Sequence, residues 1–159
     1  AMFIGYSVGS APVVSYHYGA RHQEELSGLL KKSYLLVGGA AALMLAAGEL
    51  LARPLSELFA GYDPKLLELT VRGFRFFSCS FLCSGFAIFG SSFFTALGDG
   101  LTSALISFLR TLVFQCAAVL IFPIFWGIDG IWMSIVAAEV LAAGVTFLFL
   151  AGKRRQYGY

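Results

Sequence analysis

The chain is 159 residues long, 58% hydrophobic and only 13% charged, with a formal net charge of +2 and a mean hydropathy of +0.81. A soluble domain carries about 25% charge, so this balance excludes an ordinary globular enzyme, and so small a net charge gives no ground for a nucleic-acid partner. Several runs reach the ~20 apolar residues needed to cross ~30 Å of hydrocarbon, which predicts an all-α integral membrane protein, a polytopic bundle of about five helices.

The first predicted span runs from about Met2 to Gly19. Gly5 and Gly9 form a small-xxx-small pair that lets a neighbouring helix approach closely. Pro12 removes a backbone hydrogen bond and predicts a kink, with Ser10 and Ser15 at hand for the freed carbonyl. Tyr16, His17 and Tyr18 lie near the exit, either as an interfacial aromatic belt or lining a polar cavity. Arg21 and His22 follow. The charged run from Glu24 to Lys32 carries Leu26, Leu29 and Leu30 on one helical face; it reads as a short helix on the membrane surface or as a solvated loop. The second span is predicted over Ser33–Ala52, tightly packed through Gly38, Gly39 and the alanines that follow, with Glu49 as an interfacial carboxylate. Arg53 and Pro54 then predict an outer linker, Leu55–Lys65, whose Gly61-Tyr62-Asp63-Pro64 reads as a turn before a new helix.

The third span is predicted over Leu66–Leu97, too long for a perpendicular crossing, so it tilts or begins outside the hydrocarbon. Arg72 and Arg75 can snorkel to the outer interface. Its Phe-rich core holds Phe76, Phe77, small serines and no carboxylate. Gly98-Asp99-Gly100 is a tight turn, and a fourth span runs from Leu101 to about Phe125. Arg110 lies about 13 Å in from Leu101 at ~1.5 Å per residue, deep enough to require a partner or a wet cavity. Gln115 lies deeper still. Pro123 and Trp126 close the span, and Gly127–Gly130 is a last turn. The fifth span, Ile131 to about Ala151, carries Glu139 near mid-depth and ends on Lys153, Arg154 and Arg155. The cysteines Cys79, Cys83 and Cys116 read as packing residues, because nothing supplies the further ligands a metal would need.

Position 1 is alanine, and no basic stretch precedes an apolar core, so no signal peptide is read; the chain is expected to be the C-terminal part of a longer protein. Arg21, Lys31, Lys32, Lys153, Arg154 and Arg155 fall on one side and Arg53 and Lys65 on the other, which places the C-terminus in the cytoplasm. No phosphate-binding loop, zinc signature or nucleophile elbow occurs, and His17 has no evident partner for hydrolytic chemistry, so no enzyme activity and no cofactor are expected.

Two stretches resemble the multidrug and toxic compound extrusion (MATE) family. The first is Gly9–Ala20, which is similar to that family's eighth helix and its exit. The second is Phe93–Gly100, followed by Ser107–Arg110 and by Gly127–Trp132, which resembles the turn between helices ten and eleven and the turn into helix twelve. The resemblance implies that residues 1–159 are the C-terminal lobe, from the end of helix eight to helix twelve, of a twelve-helix transporter whose two lobes enclose a cavity opening alternately to each side. It implies an antiporter driven by H⁺ or Na⁺ that exports drugs and other organic cations across the cytoplasmic membrane, with an N-terminal lobe of the same protein as partner. Candidate cavity residues are Tyr16, His17, Phe76, Phe77, Arg110, Gln115 and Glu139, and candidate hinge or packing positions are Gly5, Gly9, Pro12, Gly98 and Gly100. Glu139 reads alternatively as a structural partner for Arg110. His17 stands where the family usually has Asn, and reads as a neutral hydrogen-bonding substitute in preference to a titratable group. The carboxylates of a C-lobe cation site on helices seven and ten have no counterpart here. A lipid-linked-sugar flippase of the same superfamily and a small structural membrane protein are the other readings.

Overall fold

The computed structural model describes residues 1–159, and every regular element in it is helical. The helices are α1 (Met2–Gly19), α2 (Gln23–Ala60), α3 (Pro64–Ala96), α4 (Gly100–Phe108) and α5 (Gln115–Tyr157), with a π-helical segment (Leu109–Phe114) joining α4 to α5. Three stretches are long and apolar enough to cross a membrane: Gln23–Ala60, Pro64–Ala96 and the composite Gly100–Tyr157. The composite is a hairpin. Gly127 leaves helical geometry with φ 57° and ψ −131°. Arg110 pairs with Glu139, 29 residues on, and Asp99 pairs with Lys153, 54 residues on. On a straight rod at ~1.5 Å per residue these partners would stand roughly 45 and 80 Å apart. The reversal predicted at Gly127–Gly130 is therefore present, and with the 18-residue α1 the chain makes five rods.

Two predicted boundaries are corrected. The run Glu24–Lys32 is neither a surface helix nor a loop but the opening of α2, which continues unbroken into the second span. Glu24 and Glu25 sit in its first turn, where the helix dipole favours acids, and Leu26 is buried. The outer linker is far shorter than Leu55–Lys65, since α2 passes through Pro54 to Ala60 and leaves only Gly61–Asp63 between helices. The helix survives the proline because the packed face continues through Ala52, Ser56 and Ala60, and because Arg53 Nε donates to Glu57 Oε1 at 3.0 Å across the same turn. The start of α3 follows the predicted pattern: Asp63 Oδ1 accepts from the Lys65 and Leu66 amides at 2.9 and 3.4 Å, with Pro64 in the first turn, as an N-cap should.

α3 is the central rod, packed by α1, α2, α4 and α5, and its Phe89, Phe93 and Phe94 are fully buried. Lipid supplies no hydrophobic drive between helices, so close backbone approach through small residues does the packing. A Cβ added at Gly85 would lie 2.8 Å from Phe3 and Val37, and one at Gly90 would lie 2.1 Å from Thr146. The small-residue pair predicted to do this, Gly5 and Gly9, does not: nothing of this chain lies within 4 Å of a Cβ at either. Both face outward on α1, beside the exposed Ile4, Val8 and Val13. α1 also runs unbroken through Pro12. Ser10 and Ser15 take other acceptors than the freed carbonyl, the Ser7 carbonyl at 3.2 Å and the Ala96 carbonyl at 2.8 Å.

Candidate functional site

The two deepest charges of the sequence meet. Arg110 Nη2 donates to Glu139 Oε1 at 2.7 Å and Arg110 Nε to Oε2 at 2.9 Å, a two-pronged pair of the kind that fixes geometry as well as charge. The Glu139 side chain is only 12% exposed and that of Arg110 26%, so neither is free in water. The pair joins the two legs of the hairpin. Arg110 sits in the π segment, a winding rare in general and frequent at functional sites. Just before it, hydroxyls form a chain: Thr95 to Ser103 at 2.7 Å, Ser103 to Ser91 at 2.9 Å, and Ser91 to Ser107 at 2.9 Å. α3 and α4 thus present a run of polar groups that ends three residues before Arg110.

The other predicted site residues are dispersed. Gln115 opens α5 and bonds to neither Arg110 nor Glu139. Tyr16 is 67% exposed on the outward face of α1, its ring edge-on to His17 at 5.4 Å. His17 lines a cleft at the end of the bundle where α1 stops and α2 begins. Phe76 lines a groove of about 720 Å³ at the opposite end, among Glu49, Arg53, Arg72 and Arg75. There Arg75 meets Glu49 at 3.5 Å and Arg72 meets Asp129 at 3.2 Å. Phe77 is partly exposed against Phe81. Of the proposed hinges, Gly98 takes φ 82° and requires glycine, whereas Gly100 is an ordinary first residue of α4.

One cluster escaped the sequence reading. Asp99 caps α4 through the Thr102 amide (3.1 Å) and also accepts from the Thr102 hydroxyl (2.7 Å), Tyr157 (2.8 Å) and Lys153 Nζ (2.5 Å). It therefore ties the turn after α3 to the last turns of α5. Burial works against its charge, yet the hydrogen bonds from Lys153, Thr102 and Tyr157 outweigh that and hold the carboxyl well below the usual carboxylate range. Two signals were readable: Asp followed by Thr three residues later at a helix start, and Lys153 with Tyr157 one turn apart. Nothing in the sequence says that the two meet.

A depressed carboxyl contributes stability in full above its unfolded value of ~3.9 and loses it as pH falls below that. Asp99→Asn is expected to lower the thermal midpoint by a constant amount between pH 5 and 7. The gap to wild type narrows below about pH 4. A pH series of melts in detergent checks this; a gap that widens on acidification contradicts it.

The MatE family model matches residues 1–121. No curated protein sequence matches the chain. Among solved structures, the Vibrio cholerae MATE transporter VcmN in the bent form superposes with a TM-score of 0.89 at 19% identity, over 98% of this chain and 35% of that one. An outward-facing conformation of a multidrug resistance MATE family transporter of the MOP superfamily gives 0.89 at 23% identity, over 98% and 35%. An inward-facing conformation of a transporter so described gives 0.82 at 23%, over 98% and 36%. The chain spans about a third of the length of these structures.

Proposed function

Because the chain belongs to the MatE family, we propose that it forms the C-terminal lobe, from the end of helix eight to helix twelve, of an antiporter that exports drugs and other organic cations across the cytoplasmic membrane against H⁺ or Na⁺. The observation that carries this reading is the Arg110–Glu139 pair. An ion pair inside an apolar span is expensive to hold there, and is by default a functional feature in lipid. The other lobe supplies the second wall of the passage, in keeping with the third of the length spanned here. It also covers the outward face of α1, where Gly5 and Gly9 leave room for a backbone to approach. Tyr16 on that face offers a π surface to an organic cation. Arg110 is neutralised by Glu139, which leaves no free deep cation for an anionic lipid-linked sugar and disfavours the flippase reading. The clustering of Arg21, Lys153, Arg154 and Arg155 at one end supports a cytoplasmic position for that end, by the excess of basic residues on the inner side of membrane proteins.

The test is transport by the complete gene product in proteoliposomes. Ethidium is expected to move against its gradient when an opposing H⁺ or Na⁺ gradient is imposed, and to stop when the gradient is collapsed. Folded protein that moves no ethidium under either gradient would end this reading.

A further inference from the structure

The cleft that His17 lines encloses about 480 Å³ between the end of α1, the start of α2 and the end of α5, and its walls include Tyr18, Arg21, Gln23, Gln156 and Tyr157. No carboxylate lines it. The charged and amide side chains there are a guanidinium, two carboxamides and an imidazole, a set rich in donors. Arg21 takes part in none of the ion pairs of the fold. It also holds φ 57°, the only non-glycine residue at positive φ, a conformation a bulky side chain seldom adopts and that gathers at functional sites. His17 has a buried Nδ1 with no hydrogen-bond partner.

We infer that this cleft is a phosphate-binding site, and that its occupant is the phosphodiester headgroup of an anionic phospholipid. A tetrahedral oxyanion uses several converging donors at once, and a free guanidinium is the side chain best matched to it. The volume exceeds what a bare ion fills, and Leu26 and Tyr18 supply the apolar wall that a glycerol backbone would lie against. Tyr16, Tyr18, Tyr157 and Tyr159 gather at the same end of the bundle as the cleft, the pattern of an aromatic belt at the membrane interface. It is also the end carrying Lys153, Arg154 and Arg155, which in the orientation proposed above faces the leaflet in which anionic lipids concentrate. None of the Arg110–Glu139 chemistry is needed for this assignment.

The experiment uses the complete gene product, purified in a neutral detergent, with dioleoylphosphatidylglycerol, dioleoylphosphatidylcholine and inorganic phosphate as probes. Retention is read by native mass spectrometry and thermal midpoints by melting. Wild type is expected to retain phosphatidylglycerol about tenfold more than phosphatidylcholine, because both offer the phosphodiester but the choline cation of the second meets like charge in the Arg21 guanidinium. Arg21→Gln is expected to erase that preference while its lipid-free midpoint stays unchanged. Lys32→Gln, an exposed charge outside the cleft, is expected to keep it within about twofold. His17→Gln, which preserves a donor, retains binding, and His17→Phe loses it; this pair decides the matter if Arg21→Gln folds poorly. Equal losses from Arg21→Gln and Lys32→Gln would reduce the effect to diffuse surface charge and overturn the site. Stabilisation by inorganic phosphate with no preference for phosphatidylglycerol would overturn the lipid assignment.

Discussion

Arg110→Gln and Glu139→Gln are each expected to destabilise the protein by about 3 kcal/mol or more, because each strands a poorly hydrated charge on the other leg of the hairpin. The double substitution is expected to recover most of that loss, since two carboxamides at the same positions can still hydrogen-bond and no charge is left behind. Transport should not recover with it. If the charged pair matters only as a brace, the neutral pair braces nearly as well and ethidium export returns along with the thermal midpoint. If export depends on the charges, the double variant is folded and inactive. A double-mutant cycle read in both quantities separates the two roles, which a single substitution cannot do. A double variant that exports at the wild-type rate would return Arg110 and Glu139 to architecture.

The residues that could be read most directly were those obeying a local rule. Asp63-Pro64 announces a helix start by itself, Gly98 a left-handed turn, and Arg110 its need for a partner through depth alone. Local rules failed where tertiary packing overrides them. Pro54 ends most helices, but the buried face through Ala52, Ser56 and Ala60 carries α2 past it. Glu24–Lys32 has the charge of a loop, yet it is the exposed face of a helix whose Leu26 is buried. The Gly5–Gly9 pair is a local signal for close helix approach, but nothing in this chain approaches it. At the candidate site, periodicity could put Arg110 and Glu139 at similar depth; only the hairpin geometry makes them neighbours. The π winding of Leu109–Phe114 left no sequence mark that we can name, and neither did the convergence of Lys153 and Tyr157 on Asp99, whose span of 54 residues exceeds any local pattern.

The same hairpin makes the second large prediction. Gly127 and Gly130 both resist substitution, on different grounds, and the two grounds predict different magnitudes. At Gly127 the backbone sits at φ 57° and ψ −131° with open space around a Cβ. Gly127→Ala therefore meets conformational strain alone, on the order of 1–3 kcal/mol. At Gly130 the conformation is helical, but a Cβ would lie 2.4 Å from the Phe122 carbonyl oxygen and 2.9 Å from the Pro123 nitrogen. Those are backbone atoms of the opposing leg, which cannot swing aside as a side chain can. Gly130→Ala must push the legs apart at their pivot, and legs that diverge from the pivot move Glu139 away from Arg110, where 2.7 Å leaves no slack. Gly130→Ala is thus expected to cost more than Gly127→Ala and to reproduce the transport defect of the broken ion pair, whereas Gly127→Ala lowers the thermal midpoint with export largely kept. Melting and ethidium export on the two variants side by side decide it. A Gly130→Ala protein as stable and active as wild type would mean that the legs do not close at Phe122–Pro123, and with that the hairpin's grip on Arg110 would have to be placed elsewhere.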